Sequence, residues 1–318
     1  MKKLFIFLVF LSIIMFSYAQ EDQSIELASD TITQQKEPEL SNWKKYWKLS
    51  GILGLKLSQT QLVNWAAGGN SNFSGIVFAN VTLNYKKNRI AWDTQLDTDL
   101  GLLYSSDFKN YKWRKANDKF NFTTTFGVEI CPNASKSTWF VAANGTFKSQ
   151  YASGYNYVAD TARVRVSNWL SPSYTELSVG MNWKWSDLII LYYSPVAGLI
   201  TSCTDSMLRS TYGVPANKTF SSSLGMTFKA GIKYTGVKNL MIATNLRLFT
   251  PYTDKDQKFG NIDVDWDFMI TYQFLKVLNV SLTTNLKYYH KVLYDEPRKP
   301  KRRVQFQEII GIGIAYSF

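Results

Sequence analysis

Six aspartates in two short runs are the first residues of this chain that could do chemistry. Asp93, Asp97 and Asp99 form one run, and Asp263, Asp265 and Asp267 the other. On an extended chain an even spacing puts the carboxylates of each run on one face, about 7 Å apart for every two residues. Lys119, Lys148, Lys184, Lys229, Lys233, Arg247 and Lys287 hold the matching face of other segments. Such a set supports two readings. It could be a charged constriction that selects solutes, or an ion-paired polar core that closes a narrow lumen, since buried charges must be paired to be tolerated. The spacing leaves both open. No acidic loop supplies a full oxygen shell, so neither metal nor cofactor is expected. His290 is the single histidine. A Ser–His pair is defined by contact in space, which spacing does not give, and the expectation is that the chain is not an enzyme.

The segments that carry these residues have period two, the mark of strands with one apolar and one polar face. In Val304–Phe318, VQFQEIIGIGIAYSF, Val304, Phe306, Ile310, Ile312, Ile314, Tyr316 and Phe318 share one parity. Gln305, Gln307, Gly311, Gly313, Ala315 and Ser317 share the other. A terminal strand with outward aromatics and a final Phe resembles the assembly signal of bacterial outer-membrane barrels, which would make the barrel-assembly machinery a partner during biogenesis. Eleven earlier runs, beginning at Trp47, repeat the alternation. The seventh, Leu188 to Ile200, is apolar on both parities, and its faces cannot be assigned.

An even number of strands keeps both termini on one side, and the connections alternate between short and long, as in bacterial barrels. Lys86–Arg89, Cys131–Lys136, Trp185–Asp187, Thr235–Asn239 and Leu275–Lys276 are short; Gln59–Phe73, Ser105–Asn117, Ala152–Asn168, Ser202–Thr219, Pro251–Asn261 and Lys291–Arg303 are long. The expected fold is all-β: a single transmembrane antiparallel β-barrel of about 12 strands, closed between the Trp47 and Val304 strands, with short periplasmic turns and long extracellular loops. Trp47, Tyr85, Trp92, Trp139, Trp183, Tyr234 and Tyr316 fall near the short-turn ends, and Tyr104, Tyr151, Tyr252 and Tyr288 near the long-loop ends, as two interfacial girdles would require. Cys131 and Cys203 then lie at opposite ends and should not be bonded.

The expected division of the chain is a signal peptide (1–19), an acidic, disordered periplasmic tail (20–42) and the barrel (43–318). Lys2 and Lys3, an apolar run from Leu4 to Phe16 and Ser17-Tyr18-Ala19 form the leader pattern. The formal charge of +12 suggests anionic surfaces as partners, and export argues against nucleic acid. Two long loops concentrate the cations. Trp113, Arg114, Lys115, Arg302 and Arg303 are candidates for contact with outer-membrane lipid and anionic glycolipid.

More specific blocks are Asn64-Trp65-Ala66-Ala67-Gly68-Gly69, Lys112-Trp113-Arg114-Lys115, Phe147-Lys148-Ser149-Gln150-Tyr151 followed by Gly154-Tyr155-Asn156-Tyr157, Ser194-Pro195-Val196, Asn261-Ile262-Asp263-Val264-Asp265-Trp266 and Val304-Gln305-Phe306. With these the chain, from about Trp47 to Phe318, resembles an outer-membrane β-barrel family of Bacteroidota-type bacteria catalogued as a domain of unknown function. The resemblance implies compartment and architecture but no substrate or catalytic residue. The functional expectation is a channel-like or porin-like barrel for small solutes. The alternative is a closed barrel acting as a structural or assembly partner in an outer-membrane complex, with a periplasmic or outer-membrane protein as its partner. A lipid-modifying enzyme using His290 stands third.

Overall fold

Period two in the sequence becomes pairing in space. The computed structural model describes residues 45–60, 72–105, 109–131, 137–186, 188–252, 261–275, 278–292 and 304–318. The expected signal peptide and tail, and Arg302 and Arg303, lie outside the described residues. Fourteen strands form: β1 (Trp47–Thr60), β2 (Asn72–Lys87), β3 (Ile90–Ser105), β4 (Trp113–Glu129), β5 (Ser137–Ser149), β6 (Gly154–Ala159), β7 (Ala162–Ser167), β8 (Ser173–Trp185), β9 (Ile189–Ser202), β10 (Phe220–Tyr234), β11 (Leu240–Pro251), β12 (Asp263–Gln273), β13 (Leu278–Tyr288) and β14 (Gln305–Ser317). Twelve of them close one antiparallel barrel, in the order β1-β14-β13-β12-β11-β10-β9-β8-β5-β4-β3-β2. No helix occurs among the described residues.

The closure is the predicted one. β1 meets β14 from Ile52↔Ser317 to Leu57↔Ile312, and Gly51 and Phe318 exchange both backbone hydrogen bonds. Short connections turn tightly: Asn88, Ser186 and Asn239, all in or beside them, take positive φ, a conformation Asn tolerates better than most residues.

The third long connection differs from expectation. It is not plain loop: β6 and β7 pair there as a separate two-stranded hairpin. At 6 residues each, they are shorter than the roughly 9–11 residues a membrane crossing needs.

β9 settles the run whose faces the sequence left open. Its register slips against both neighbours at the same place, opposite Val179/Met181 of β8 and Gly225/Thr227 of β10. Pro195 sits at the slip and has no N–H to give to a ladder, so a bulge is where it can be accommodated. The Ser194 hydroxyl donates to the carbonyls of Val179 and Val196, both at 2.7 Å. Tyr192 and Ser194 point inward before the bulge, and Ala197 and Thr201 after it. Parity therefore changes mid-strand, and a search for one alternation finds none.

Burial is the inverse of a water-soluble protein. Leu177, Val179, Val196, Ile310 and Ile312 are more than half exposed on the outside, while Asn144, Glu176, Asn182 and Asp265 are buried inside. Aromatic rings edge the apolar belt. Trp47 packs on Tyr85 at 4.8 Å and on Trp92 at 6.0 Å at the short-turn end. Tyr104 packs on Trp113 at 5.0 Å at the other.

Two outcomes follow from this packing. A Cβ at Gly180 would lie 2.0 Å from the Tyr193 carbonyl oxygen, so Gly180→Ala should cost about 2 kcal/mol or more as overpacking, read as a lower melting temperature of the heat-modifiable band on gels. Cys131 is exposed and Cys203 buried, and both are free. Burial also pushes the Cys203 thiol up. A maleimide should label Cys131 in the folded protein and reach Cys203 only after denaturation.

Candidate functional site

The inward faces of β5, β8, β10, β11 and β12 bring five charged residues together near the long-loop end. Glu176 accepts from Arg247 Nε at 2.7 Å and lies 2.8 Å from Lys229 Nζ. Arg247 also reaches Asp265 at 3.2 Å, and Lys148 meets the same carboxylate at 3.2 Å. Lys229 donates in addition to Asn144 Oδ1 at 2.5 Å and Thr146 Oγ1 at 3.1 Å. Each anion thus has two cations, which is how a charge is held away from water.

These contacts cross the lumen. From β12 to β5 the ring runs β12-β11-β10-β9-β8-β5, five steps of a twelve-strand circuit. A round barrel of this size has opposed walls roughly 24 Å apart, from a strand spacing of about 4.8 Å and a tilt near 40°. An extended Lys and an Asp at hydrogen-bond distance reach across only about 13 Å between Cα atoms, by ordinary bond lengths. The Lys148–Asp265 contact therefore requires the barrel to be pinched at this level.

Aromatic groups lie above the ion pairs. The rings of Tyr174 and Tyr289 stack at 5.5 Å, and the Tyr289 hydroxyl donates to Asp265. The segment between β9 and β10 packs on its own small core of Cys203, Leu208 and Val214, with Tyr212 against it. Arg209 holds that segment by donating to the Ala216 carbonyl at 2.9 Å. Tyr212 donates to the Val166 carbonyl of β7 at 2.6 Å, and Arg165 of β7 pairs with Asp205 at 2.9 Å. Between this cover and the ion pairs remains a cavity of about 40 Å³, lined by Lys148, Tyr174, Glu176, Tyr212, Arg247 and Tyr289 among others. It has room for a few waters and no larger solute.

Outside this cluster the charges are wetter. Lys184 pairs with Asp93 near the short-turn end, and Lys119 with Asp97 at mid-strand, and these four side chains are 23–32% exposed, against 3% for Glu176 and 5% for Asp265.

All the lumen candidates named from the sequence are placed on the inward face: Asp93, Asp97, Asp99, Lys119, Arg247, Asp263, Asp265 and Asp267. Arg247 and Asp265 join the outer cluster, while Asp263 accepts from the His290 backbone N–H at 2.8 Å. His290 approaches Asn261 with its ring, at 3.2 Å. Glu176, the anion at the centre, was not among the candidates. Its inward parity was legible, but it stands outside the aspartate runs. Phe249, 1% exposed, was also missed, because an apolar residue on the inward parity breaks the pattern used to find that face.

At the outer rim, Trp113 is exposed and Arg114 stands over the Tyr157 ring at 5.3 Å. Lys115 pairs with Asp118 at 3.1 Å and donates to the Ala152 carbonyl at 2.9 Å, tying β4 to the start of the hairpin connection. No group of acids, histidines and cysteines able to hold a metal occurs among the described residues.

The profile of a family described as "Protein of unknown function (DUF3078)" matches residues 57–155, a narrower stretch than the sequence resemblance suggested. No curated protein sequence matches. Among solved structures, an outer membrane channel from Pseudomonas putida F1 is 10% identical over 92% of this chain and 100% of its own, with a TM-score of 0.38. The translocator domain of the autotransporter NalP from Neisseria meningitidis is 9% identical over 86% of this chain and 88% of its own, with a TM-score of 0.32. Likeness at this level says nothing of what passes through or binds to this chain. Its own closed ladder, outward apolar belt and paired girdles make it an integral outer-membrane β-barrel. The short turns are then periplasmic and the long loops extracellular.

Glu176→Gln should remove the anion between Arg247 and Lys229 and cost about 3–5 kcal/mol, as expected when one partner of a buried pair is lost. Urea unfolding in detergent, followed by tryptophan fluorescence, measures it.

Proposed function

We propose that this barrel is a channel-type protein closed at its extracellular half, with a polar vestibule open to the periplasm. The observation that carries the reading is the pair of cross-lumen contacts, Lys148 to Asp265 and Arg247 to Glu176. A passive pore keeps such charges on its wall; here they meet across the lumen. Passage of a small solute then requires those pairs to part. Planar-bilayer recording tests this. Wild type should be nearly silent at moderate voltage, and Lys148→Ala together with Arg247→Ala should give frequent openings. Steady, porin-like conductance from the wild type would overturn the reading.

The alternative, a closed barrel serving as a structural or assembly partner, is favoured by a different observation. Val158 and Val164 of the β6–β7 hairpin and Met207 beside it are more than half exposed, beyond the part of the barrel that lipid covers. Such residues suit a protein partner better than water. A non-catalytic role agrees with either reading. Contact of Trp113, Arg114 and the basic loops with anionic glycolipid, and recognition of the β14 strand by the barrel-assembly machinery, belong to this proposal. So does the Bacteroidota-type affiliation that the sequence blocks suggest.

A further inference from the structure

The seam between β1 and β14 is shorter than the strands that make it. Its last rung is Leu57↔Ile312. β1 continues to Thr60, paired with β2 to the end at Thr60↔Asn72. β14 begins at Gln305, paired with β13 from Lys287↔Gln305 onward. Ser58–Thr60 and Ile309–Gly311 would be the next three rungs, and among the described residues they are not made. The split lies in the outer half of the wall. Lipid chains offer no hydrogen bonds, so polar atoms must come to such a place from elsewhere.

The lumen side of the split is lined by glycine. Gly54 of β1 and Gly311 and Gly313 of β14 fall on the inward parity and put no side chain there. The Phe78 ring covers Gly54, and Lys56 takes the space beside the other two, its stem lying 3.6 Å from where a Cβ at Gly311 would be. Its ammonium sits 4.8 Å from the centre of the Phe78 ring. Polar atoms flank this lysine. Asp99 Oδ1, Ser281 Oγ and Thr283 Oγ1 are buried and have no hydrogen-bond partner among the described residues. Ser281 and Thr283 stand opposite Gly311 and Ile309 in the β13–β14 ladder, and Asp99 stands opposite Phe78 in the β2–β3 ladder. Buried polar atoms left unpaired in this way mark a place for a ligand or water.

We infer that the outer half of the β1–β14 seam is a lateral slot that holds one zwitterionic phospholipid, head group inside the lumen and acyl chains in the bilayer. Lys56 meets the phosphate, helped by the hydroxyls of Ser281 and Thr283, which can donate. The Asp99 carboxylate meets the ammonium of an ethanolamine head. Outside the slot, Phe306, Ile310 and Ile312 form an exposed apolar ridge for the chains. Glu308 shares their parity and is exposed on the same face, an acid that disfavours an anionic lipid at this position. The slot is independent of whether the extracellular ion pairs part, since none of its residues belongs to that cluster.

Two experiments test the inference on the full-length protein. The first concerns the wall. In a Cys131→Ser background, Leu57→Cys with Ile312→Cys should oxidise to a disulfide, while Gln59→Cys with Ile310→Cys should stay reduced if the unmade rung holds its Cα atoms beyond the roughly 7 Å limit. By the alternation of the sequence all four positions fall on the apolar parity, and heat-modifiable mobility confirms folding in each. Equal oxidation of both pairs means a continuous seam and overturns the slot. The second concerns the ligand. Native mass spectrometry of the purified barrel, with phosphatidylethanolamine or phosphatidylglycerol at equal mole fraction, should show one retained phosphatidylethanolamine in clear preference. Lys56→Gln and Asp99→Asn should each weaken retention roughly tenfold, as for loss of a charged hydrogen bond. Equal retention of both lipids, or retention unmoved by either substitution, overturns the assignment. Bilayer conductance is read separately, so failure here leaves the channel reading intact, and the reverse holds too.

Discussion

A polypeptide in hydrocarbon has nowhere to put an unpaired backbone N–H or C=O, and nearly every feature of this protein answers to that constraint. It forces the strands into a ring. It makes the wall continuous around eleven of the twelve strand contacts and draws attention to the one that falls short. It also frees the outer face to be apolar and the inner face to be polar, the arrangement seen in the burial of Glu176 and Asp265 against the exposure of Val179 and Ile312.

Closure alone does not determine what a twelve-strand ring encloses. Eight strands leave room for side chains only, and sixteen leave an aqueous channel. At twelve the side chains decide. Here two basic residues reach from one wall to acids on another, and the ring yields to them rather than the reverse. The result is an interior that is tightly packed above, beneath the Tyr174–Tyr289 stack, and more exposed below around Asp93 and Lys184.

The wall was almost wholly legible in the sequence, because a strand in lipid must alternate and a turn must carry turn residues. The two departures from the reading have local causes. At Ser194-Pro195 a bulge shifts parity, so β9 read as apolar on both sides. In the third long connection, strands too short to cross the membrane were read as loop. The site was legible only in part. Parity tells which side a charge is on, but not how far it reaches, and Lys148 finding Asp265 depends on a pinch that no periodicity records. Glu176 shows the limit from the other direction: its face was known, and its importance came from who its neighbours are across the ring.

The Lys148–Asp265 contact joins residues 117 positions apart, and this has a bearing on how the molecule folds. Neighbouring strands can zip together hairpin by hairpin, each step closing a short loop. The cross-lumen pairs cannot form until the sheet has curled and both walls are present. Contacts of such long sequence separation are late and slow ones. The ion-paired layer therefore acts as a latch set after the wall is built. An interaction absent from the transition state governs how fast the native form comes apart more than how fast it assembles. The lifetime of the finished barrel and the efficiency of its insertion are then set by different residues, and evolution can adjust one without disturbing the other.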